Sequence, residues 1–254
     1  MGIELEIVIP AYNEELRIGA SLDRLAAALA ELRIDAGVVV VDNGSIDGTR
    51  EIVGGWSGPV PVRLVHCPRR GKGAAVQFGL LATAAPYAGF CDADMATDPL
   101  ALSQVVDLLR RGEEVIVGNR RHPSSTVTAR RRRLRRHGAL LFNRLARGLA
   151  GGLTDTQCGF KFFHGPLVRA VAADLRIAGF VFDVELLVRC LRSGAAIAEV
   201  PVRWTDQPGS RFSVWRHSLP CLRDLARIVL LARQTPGGRD VVRPAQGLGV
   251  RLLK

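Results

Sequence analysis

The chain lacks the features that would mark a membrane-spanning or exported protein. It contains no stretch of about eighteen consecutive apolar residues, so we expect no membrane-spanning helix. The nearest candidates for a span, Ala139–Ala150 and Leu225–Arg233, are interrupted by Arg144, Arg147 and Arg227. No basic region followed by a cleavable apolar stretch opens the sequence, so neither a signal peptide nor an amino-terminal membrane anchor is expected.

Paired cysteines are also missing. The chain has 5 cysteines, an odd number, and no Cys-x-x-Cys pair occurs among them. This spacing argues against both a zinc site and a disulfide framework. Reduced thiols fit a cytoplasmic protein best. The five residues are Cys67, Cys91, Cys158, Cys190 and Cys221.

Acidic residues are scarcer than basic ones. The 24 Asp and Glu residues face 35 Lys and Arg residues, which leaves a net charge of +11. Such a surplus indicates an anionic partner: a phosphorylated substrate, a membrane surface or nucleic acid. The densest basic segment is Arg130–Arg136. Three interpretations of it stay open, namely a solvated loop, contact with substrate phosphates, and peripheral attachment to an anionic bilayer at its inner face.

The familiar phosphate-binding loops are absent as well. Gly71-Lys72-Gly73 is not a Walker A loop, because Lys72 is not followed by Ser or Thr. It is not a dinucleotide-binding loop either, because Val76 stands where that motif needs glycine. ATPase and dinucleotide-dependent oxidoreductase functions therefore lose their best support. We still expect backbone N–H groups here to suit a phosphate or hydroxyl, since glycines precede a helix.

What is present is an alternation of short apolar strands and amphipathic helices up to residue 118. This pattern predicts an α/β fold with a doubly wound, mainly parallel sheet. Later segments predict a strand after Asp155–Gly159, a helix over Phe180–Arg192, a strand over Ala196–Arg203 and a helix over Ser218–Arg233. The predicted early strands are Leu5–Ile9, Gly37–Val41, Val60–Val65, Tyr87–Cys91 and Glu114–Val117.

Polar residues follow several of these strands, at the sheet edge where such folds bind ligands. Asp92 and Asp94 come directly after the fourth strand and share a face. Two carboxylates this close raise one pKa unless a cation lies between them, and Mg²⁺ or Mn²⁺ prefers such oxygen ligands. The plainer alternative is a turn in which Asp94 or Asp98 caps the helix that begins at Pro99.

A second pair of acids, Asp183 and Glu185, lies in an apolar context, where isolated carboxylates are costly. One of them can simply favour a helix N-terminus. Residues two apart do not share a helix face, so we expect at least one of the two to have a separate role.

The order of the motifs resembles that of inverting glycosyltransferases of family 2. The resemblance runs from about residue 4 to residue 215, and its middle and late motifs are most similar to the dolichyl-phosphate β-glucosyltransferase branch. The segments that carry it are 8–14 (VIPAYNE), 41–45 (VDNGS), 71–73 (GKG), 92–94 (DAD), 118–120 (GNR), 155–161 (DTQCGFK), 182–186 (FDVEL) and 208–211 (PGSR).

The resemblance implies a single GT-A domain over residues 1–235, with a nucleotide-sugar-binding half (1–120), an acceptor half (121–235) and a tail (236–254). It implies a nucleoside-diphosphate sugar donor (UDP-glucose favoured), a divalent cation at Asp92 and Asp94, and a polyprenyl phosphate acceptor. The implied donor ligands are Pro10, Ala11, Tyr12, Glu14, Asp42, Asn43, Lys72, Asp92, Ala93 and Asp94. Arg120, Gln157, Lys161 and Glu185 are implied at the sugar and acceptor, and Arg211 at the diphosphate.

Two positions depart from the family pattern. The usual Asp-Asp pair after the second strand is Asp42-Asn43, and the usual Gly-Ser-Arg is Gly118-Asn119-Arg120. The first change predicts altered contacts with the base.

The acceptor decides whether a base is needed. A lipid phosphate is already anionic, whereas a hydroxyl or amine acceptor must lose a proton. Asp155 and Asp183 are the candidate bases, with Asp183 ahead because apolar neighbours raise its pKa. Other classes stay open: a glycosyltransferase with a soluble or peptide acceptor, a sugar-phosphate nucleotidyltransferase, a non-catalytic sugar-nucleotide binder, and a nucleic-acid-binding protein using the arginine run. The strand-end acids would repel nucleic acid, so we expect no such partner.

Overall fold

A computed structural model describes residues 2–128, 146–207, 214–233 and 242–244. Several sequence predictions fall outside these ranges and stay predictions. They concern the basic run Arg130–Arg136, the late loop with Arg211, and most of the tail from residue 236.

The centre of the structure is an eight-stranded sheet with the order β10-β8-β5-β7-β4-β1-β2-β3. The five early strands were predicted, and their ends differ from the prediction by a residue or two. The central residues of the first, second, fourth and fifth strands are buried on both faces, as expected for strands covered by helices on either side. The third strand, at the edge of the sheet, is partly exposed. The sheet strands are β1 Leu5–Ala11, β2 Ala36–Asp42, β3 Val62–His66, β4 Tyr87–Cys91, β5 Val115–Asn119, β7 Phe160–His164, β8 Ile197–Pro201 and β10 Val242–Pro244.

Helices cover both faces of this sheet and create two hydrophobic cores. One core packs α3, α5, α6 and α7 against the sheet, and the other packs α1 and α4 against the opposite face. The helices are α1 Ile18–Leu32, α2 Thr49–Gly54, α3 Lys72–Leu81, α4 Leu102–Arg110, α5 Gly165–Ala173, α6 Phe182–Arg192 and α7 Val214–Arg233. Asp98 caps the short 3₁₀ turn Pro99–Ala101 by accepting from Leu100 N at 3.2 Å.

Strand β7 is antiparallel to both of its neighbours, β4 and β5. Because it runs the other way, its first residue, Phe160, pairs with the last residue of β4, Cys91. The loop before β7, residues 155–159, therefore reaches the same edge as the ends of the parallel strands. The alternation rule had not placed this strand in the sheet.

Two other features differ from expectation. The predicted strand Ala196–Arg203 divides after Pro201, and its second part, β9 (Arg203–Thr205), pairs with β6 (Thr126–Thr128) in a separate small sheet. Strand β10 lies in the segment predicted as a tail and pairs with β8. Within the part of the chain that is described, no helix combines the length and apolar character needed to cross a bilayer.

Candidate active site

Helix α1 holds the turn that follows β4. Ser21 Oγ donates to the carbonyl of Ala93 at 2.7 Å, and Arg24 Nη1 donates to the carbonyl of Met95 at 3.0 Å. Met95 has a positive φ of 45°, an uncommon conformation for a residue with a side chain. These contacts fix the direction in which the carboxylates of the turn leave the strand.

The Asp92 carboxylate lies at the sheet edge, against Lys72 and Gly159. Lys72 Nζ is 2.6 Å from Asp92 Oδ1, and the Asp92 side chain is 35% exposed. A Cβ on Gly159 would lie 2.1 Å from Asp92 Oδ2, so the carboxylate fills the space that only glycine leaves. Lys72 and Asp92, two of the donor ligands that the family resemblance implies, are in direct contact.

Asp94 is partly buried beside Asp92. Burial and the Asp92 charge raise its pKa, and the bond from Ala96 N and the charges of Arg17 and Lys72 oppose the rise without cancelling it. A cation between the two acids would relieve this cost. The described residues contain no group of three or more His, Cys, Asp or Glu side chains that could hold a metal. The pair therefore fits Mg²⁺ or Mn²⁺ only as a site completed by ligand oxygens, the way in which Mg²⁺ commonly binds phosphates.

A buried ion pair lies behind these acids. Lys161 is fully buried in β7, and its Nζ is 2.6 Å from Asp183 Oδ1 and 2.6 Å from the Cys158 carbonyl. Burial raises the pKa of Asp183, and the charges of Lys161 and Lys72 oppose this rise without cancelling it. Lys161 also lies 5.4 Å from the centre of the Phe90 ring. These groups bridge the sheet and the start of α6.

The second ion pair joins β5 to the loop before β7. Arg120 Nε and Nη2 donate to Asp155 Oδ2 and Oδ1 at 2.7 and 2.8 Å, and Arg120 N donates to Oδ2 at 3.0 Å. Burial acts to raise the pKa of Asp155, but Arg120 outweighs it and the net pKa is lowered. The guanidinium lies 5.6 Å from the Trp204 ring. Asp155 is therefore held as a carboxylate facing a permanent cation.

Gln157 lies two residues after Asp155 in the same loop. Its backbone N donates to Asp155 Oδ1 at 3.3 Å, while its side-chain Nε2 is buried without a hydrogen-bond partner among the described residues. A buried donor left unpaired is costly, and such groups often await a ligand or water. The amide is a candidate donor to a substrate oxygen.

The loop after β1 is tied to the loop after β2. Asn13 N donates to Ser45 Oγ at 2.9 Å, and Asn13 Oδ1 accepts from Ile46 N at 2.8 Å. Tyr12 is 43% exposed at this rim. Three neighbouring residues were also expected at the nucleobase and ribose. Of these, Pro10 and Ala11 lie within β1, and Glu14 forms an ion pair with Arg17.

Asp42 ends β2 opposite Ala11, at the same edge, but its side chain is only 1% exposed. Its carboxylate accepts from Ser45 N at 3.0 Å and lies 3.1 Å from His66 Nδ1 and 3.0 Å from Arg50 Nε. Burial acts to raise the pKa of Asp42, but these partners outweigh it and the net pKa is lowered. Arg50 and His66 were missed because each lies in an element whose sequence gives no motif.

The N-terminus of α3 does not offer the free N–H groups expected from its glycines. Gly71 N donates to Asn43 Oδ1 at 2.7 Å, and Gly73 N and Ala74 N donate to the Ala178 carbonyl at 2.8 and 3.3 Å. The expectation of a backbone phosphate cradle at these groups is therefore wrong, because a distant loop already supplies their acceptors. The Lys72 side chain is left as the group that faces the edge.

Glu185 lies apart from the cluster. Its carboxylate accepts from Arg176 N, Ile177 N and Arg189 Nε at 2.8 to 3.1 Å, and it is buried. Its contacts are therefore with the loop after α5 and with its own helix. Asp183 and Glu185 contact different parts of the structure, as their spacing suggested. Arg211 lies outside the described residues.

Comparison with known proteins assigns the family. The family model described as "Glycosyl transferase family 2" matches residues 6–171. The chain belongs to glycosyltransferase family 2. The matched region spans β1 to α5 and contains the Asp92–Asp94 turn, Lys72 and the Arg120–Asp155 pair.

Curated relatives of this glycosyltransferase match most of its length. It is 33% identical over 242 residues to a dolichyl-phosphate beta-glucosyltransferase of Dictyostelium discoideum, covering 89% of this chain and 74% of the relative. It is 30% identical over 243 residues to the enzyme of that name from Homo sapiens, covering 89% of this chain and 75% of the relative. The sequence resemblance to this branch is confirmed, and with it a glycosyltransferase rather than a nucleotidyltransferase or a nucleic-acid-binding protein.

Solved structures confirm the fold. A glucosyl-3-phosphoglycerate synthase from Mycobacterium tuberculosis in complex with UDP has a TM-score of 0.66 at 21% identity, covering 93% of this chain and 82% of that one. The same enzyme with Mn²⁺, UDP and glucosyl-3-phosphoglycerate has a TM-score of 0.63 at 21% identity, with 93% and 82% covered. The predicted GT-A fold is thus confirmed. At this identity the likeness carries no residue roles across.

Proposed function

We propose that this glycosyltransferase moves a hexose, with glucose favoured, from a UDP-sugar to a polyprenyl phosphate with inversion at the anomeric carbon. Relatives named dolichyl-phosphate beta-glucosyltransferase support the sugar and the lipid phosphate. Structural neighbours that bind UDP with Mn²⁺ or Mg²⁺ support the nucleotide and a divalent cation.

The proposal of a phosphate acceptor rests on the ion pairs that the two candidate bases, Asp155 and Asp183, already form. Asp155 accepts from the Arg120 side chain through both oxygens, and Asp183 is buried against Lys161. A general base must reach the acceptor proton and must gain by taking it up. Neither carboxylate meets this description. Arg120 holds the pKa of Asp155 low, and Asp183, although burial raises its pKa, is only 2% exposed and its carboxylate faces Lys161 instead of the open edge. A phosphate acceptor needs no general base, because a phosphate monoester already carries about −1.5 to −2 charges at pH 7.

In the proposed reaction, an oxygen of the acceptor phosphate forms the new bond to the anomeric carbon. The bond from that carbon to the β-phosphate oxygen breaks, and its electron pair leaves with UDP. No proton has to move. Asp92, Asp94 and Lys72 hold the diphosphate end of the donor, and a bound divalent cation would neutralise part of its charge. Arg120 and Gln157 face the sugar and acceptor, and Arg211 is proposed at the diphosphate.

The remaining assignments complete the donor site. Pro10, Ala11, Tyr12 and Glu14 are proposed to line the base and ribose, with Tyr12 as the exposed ring. Because a polyprenyl tail partitions into a bilayer, we also propose a cytoplasmic enzyme that works peripherally at the inner face of a membrane. Arg130–Arg136 is the segment proposed to contact that anionic surface.

The test is a transfer assay with two acceptors that share one tail, a polyprenyl phosphate and the corresponding polyprenol. With UDP-glucose and Mn²⁺ or Mg²⁺, we expect product from the phosphate, none from the alcohol, and loss of product after chelation. GDP-mannose in place of UDP-glucose tests the donor, and phosphoglyceric acid tests a soluble acceptor.

Equal transfer to the polyprenol would contradict the acceptor proposal, because a neutral hydroxyl needs a base. Transfer to phosphoglyceric acid alone would favour the soluble-acceptor alternative. Full activity after chelation would contradict the proposed divalent cation. Hydrolysis of UDP-glucose without transfer to any acceptor would support only the proposed donor.

A further inference from the structure

The side chain of Asn43 joins the end of β2 to the loop that leads into α3. Its Nδ2 donates to the Arg69 carbonyl at 2.8 Å and to the Cys67 carbonyl at 3.4 Å. Its Oδ1 accepts from Gly71 N at 2.7 Å. Asn43 is 8% exposed, so these partners account for both ends of a buried amide.

The contacts explain why this position carries an amide. The loop presents two carbonyl oxygens and one N–H, and only an amide can donate to the first two while accepting from the third. The Gly71 N–H fixes the orientation, because the atom facing it must be an acceptor. An ionised carboxylate here would place its negative charge against two carbonyl oxygens. The replacement of the usual Asp by Asn43 thus matches the loop that faces it.

The loop in question carries Lys72. Gly71 has a φ of +125°, and a Cβ on it would lie 2.2 Å from the Ala178 carbonyl oxygen. The backbone on either side of Lys72 is therefore fixed, by Asn43 at Gly71 and by Ala178 at Gly73. The side chain of Lys72 ends 2.6 Å from Asp92 Oδ1.

We propose that Asn43 is a positioning residue, which sets Lys72 against Asp92 at the donor's diphosphate rather than contacting the nucleobase. The reference to the donor rests on the function proposed above. The three hydrogen bonds of the Asn43 side-chain amide are all to the loop of residues 67–71, so Asn43 acts on the ligand through Lys72.

A double-mutant cycle separates the two roles, because groups that act through one another are not additive. We expect Asn43→Asp to weaken UDP affinity in the presence of Mn²⁺, and to raise the KM for UDP-glucose, by about tenfold to a hundredfold. In a Lys72→Met background, where no ammonium remains to be positioned, the same substitution should change either quantity by less than about threefold.

Gln77 in α3 supplies the matched control. Its Nε2 donates to the carbonyls of Ala172 and Leu175 at 2.8 and 3.0 Å, so Gln77→Glu also turns a carboxylate toward two carbonyls. Because Gln77→Glu disturbs only the fold, we expect it to change UDP affinity and the KM for UDP-glucose by the same factor with and without Lys72. Asn43→Ser, which adds no charge, serves if Asn43→Asp does not fold, and its effect should vanish in the Lys72→Met background too.

An equal factor for Asn43→Asp in both backgrounds would overturn the inference, since a direct contact with the base predicts it. UDP affinity is measured by calorimetry and needs no transfer. If the wild type binds UDP but glucosylates no lipid phosphate, the proposed function fails while the cycle still decides the role of Asn43. A wild type that binds no UDP overturns both.

Discussion

Two pairs of acids meet at the carboxyl edge of the sheet, and they are held in different ways. Asp155 and Asp183 are buried, and each faces its own cation, Arg120 or Lys161. Asp92 and Asp94 leave a single strand and are partly exposed, and the pKa of Asp94 is raised by burial and by its neighbour. The first pair is held against cations inside the fold and shapes the site. In the second pair Lys72 faces Asp92, while the ionised form of Asp94 remains disfavoured, which suits a cation and its ligand.

The largest expected effect concerns the stability of the buried pair. Lys161→Met leaves the Asp183 carboxylate without its partner, and breaking a buried pair in this way costs about 3–5 kcal/mol. Urea unfolding followed by circular dichroism measures the loss. Lys161→Met combined with Asp183→Leu removes both charges and should recover most of it. A cost below about 1 kcal/mol for the single variant would show that the pair is not buried as described.

The exposed pair should instead affect turnover. Asp94→Asn removes a charge from the cation site, and we expect the rate to fall by about a hundredfold or more and to lose its dependence on Mn²⁺. Asp98→Asn is the control, because Asp98 caps the following 3₁₀ turn and its ion pairs are with Arg24 and Arg203. Initial rates across a Mn²⁺ titration measure both. Wild-type turnover in Asp94→Asn would remove the cation role.

A smaller effect tests the packing of Asp92. Gly159→Ala places a methyl group where the Asp92 carboxylate lies, 2.1 Å from Oδ2, and displaces it from Lys72. We expect kcat/KM for the donor to fall about tenfold, because small displacements at a reacting site are costly. Gly54→Ala, which meets nothing within 4 Å, is the matched control. Equal kinetics for the two variants would mean that the position of Asp92 is unimportant.

The smallest effect is the pH dependence of cation binding. The pKa of Asp94 is raised in the folded state, so its charged form costs stability above that pKa, and the cost is gone below the unfolded pKa. A cation relieves the cost only where Asp94 is ionised. The rise in Tm caused by Mn²⁺ should therefore be larger at about pH 8 than at about pH 4, near the ordinary pKa of an aspartate. Asp94→Asn should show no such difference, and an equal rise in the wild type at both pH values would contradict the raised pKa.

Much of the parallel half of the fold was predictable from local patterns. Continuous apolar runs such as Val38–Val41 predict strands buried on both faces, and polar residues after them mark the ligand edge. The position of the Asp92–Asp94 turn at the ligand edge followed from that topology, whereas the placing of Lys72 at the same ligand followed from the family resemblance. The family resemblance added the order of the motifs.

The paired states of the acids were not predictable, because they depend on contacts between distant segments. Lys161 and Asp183 meet only because β7 enters the sheet antiparallel, which no local pattern signals. The sequence identified Asp155 as a candidate base but did not indicate its ion pair with Arg120. Nor did the glycines before α3 indicate that the Ala178 carbonyl accepts hydrogen bonds from the N–H groups at this helix N-terminus. Sequence indicates which groups are available, whereas tertiary contacts decide which are already used.

The most direct test of the account is the pH–rate profile of Asp155→Asn with a polyprenyl phosphate acceptor. Because the acceptor supplies its own charge, we expect the same acid limb as in the wild type, near the phosphate's own pKa of about 6. Asp155→Asn also weakens the ion pair that holds Arg120. We expect this loss alone to lower the rate by about tenfold. A loss of about a thousandfold or more, with the acid limb abolished, would make Asp155 the base and contradict the account.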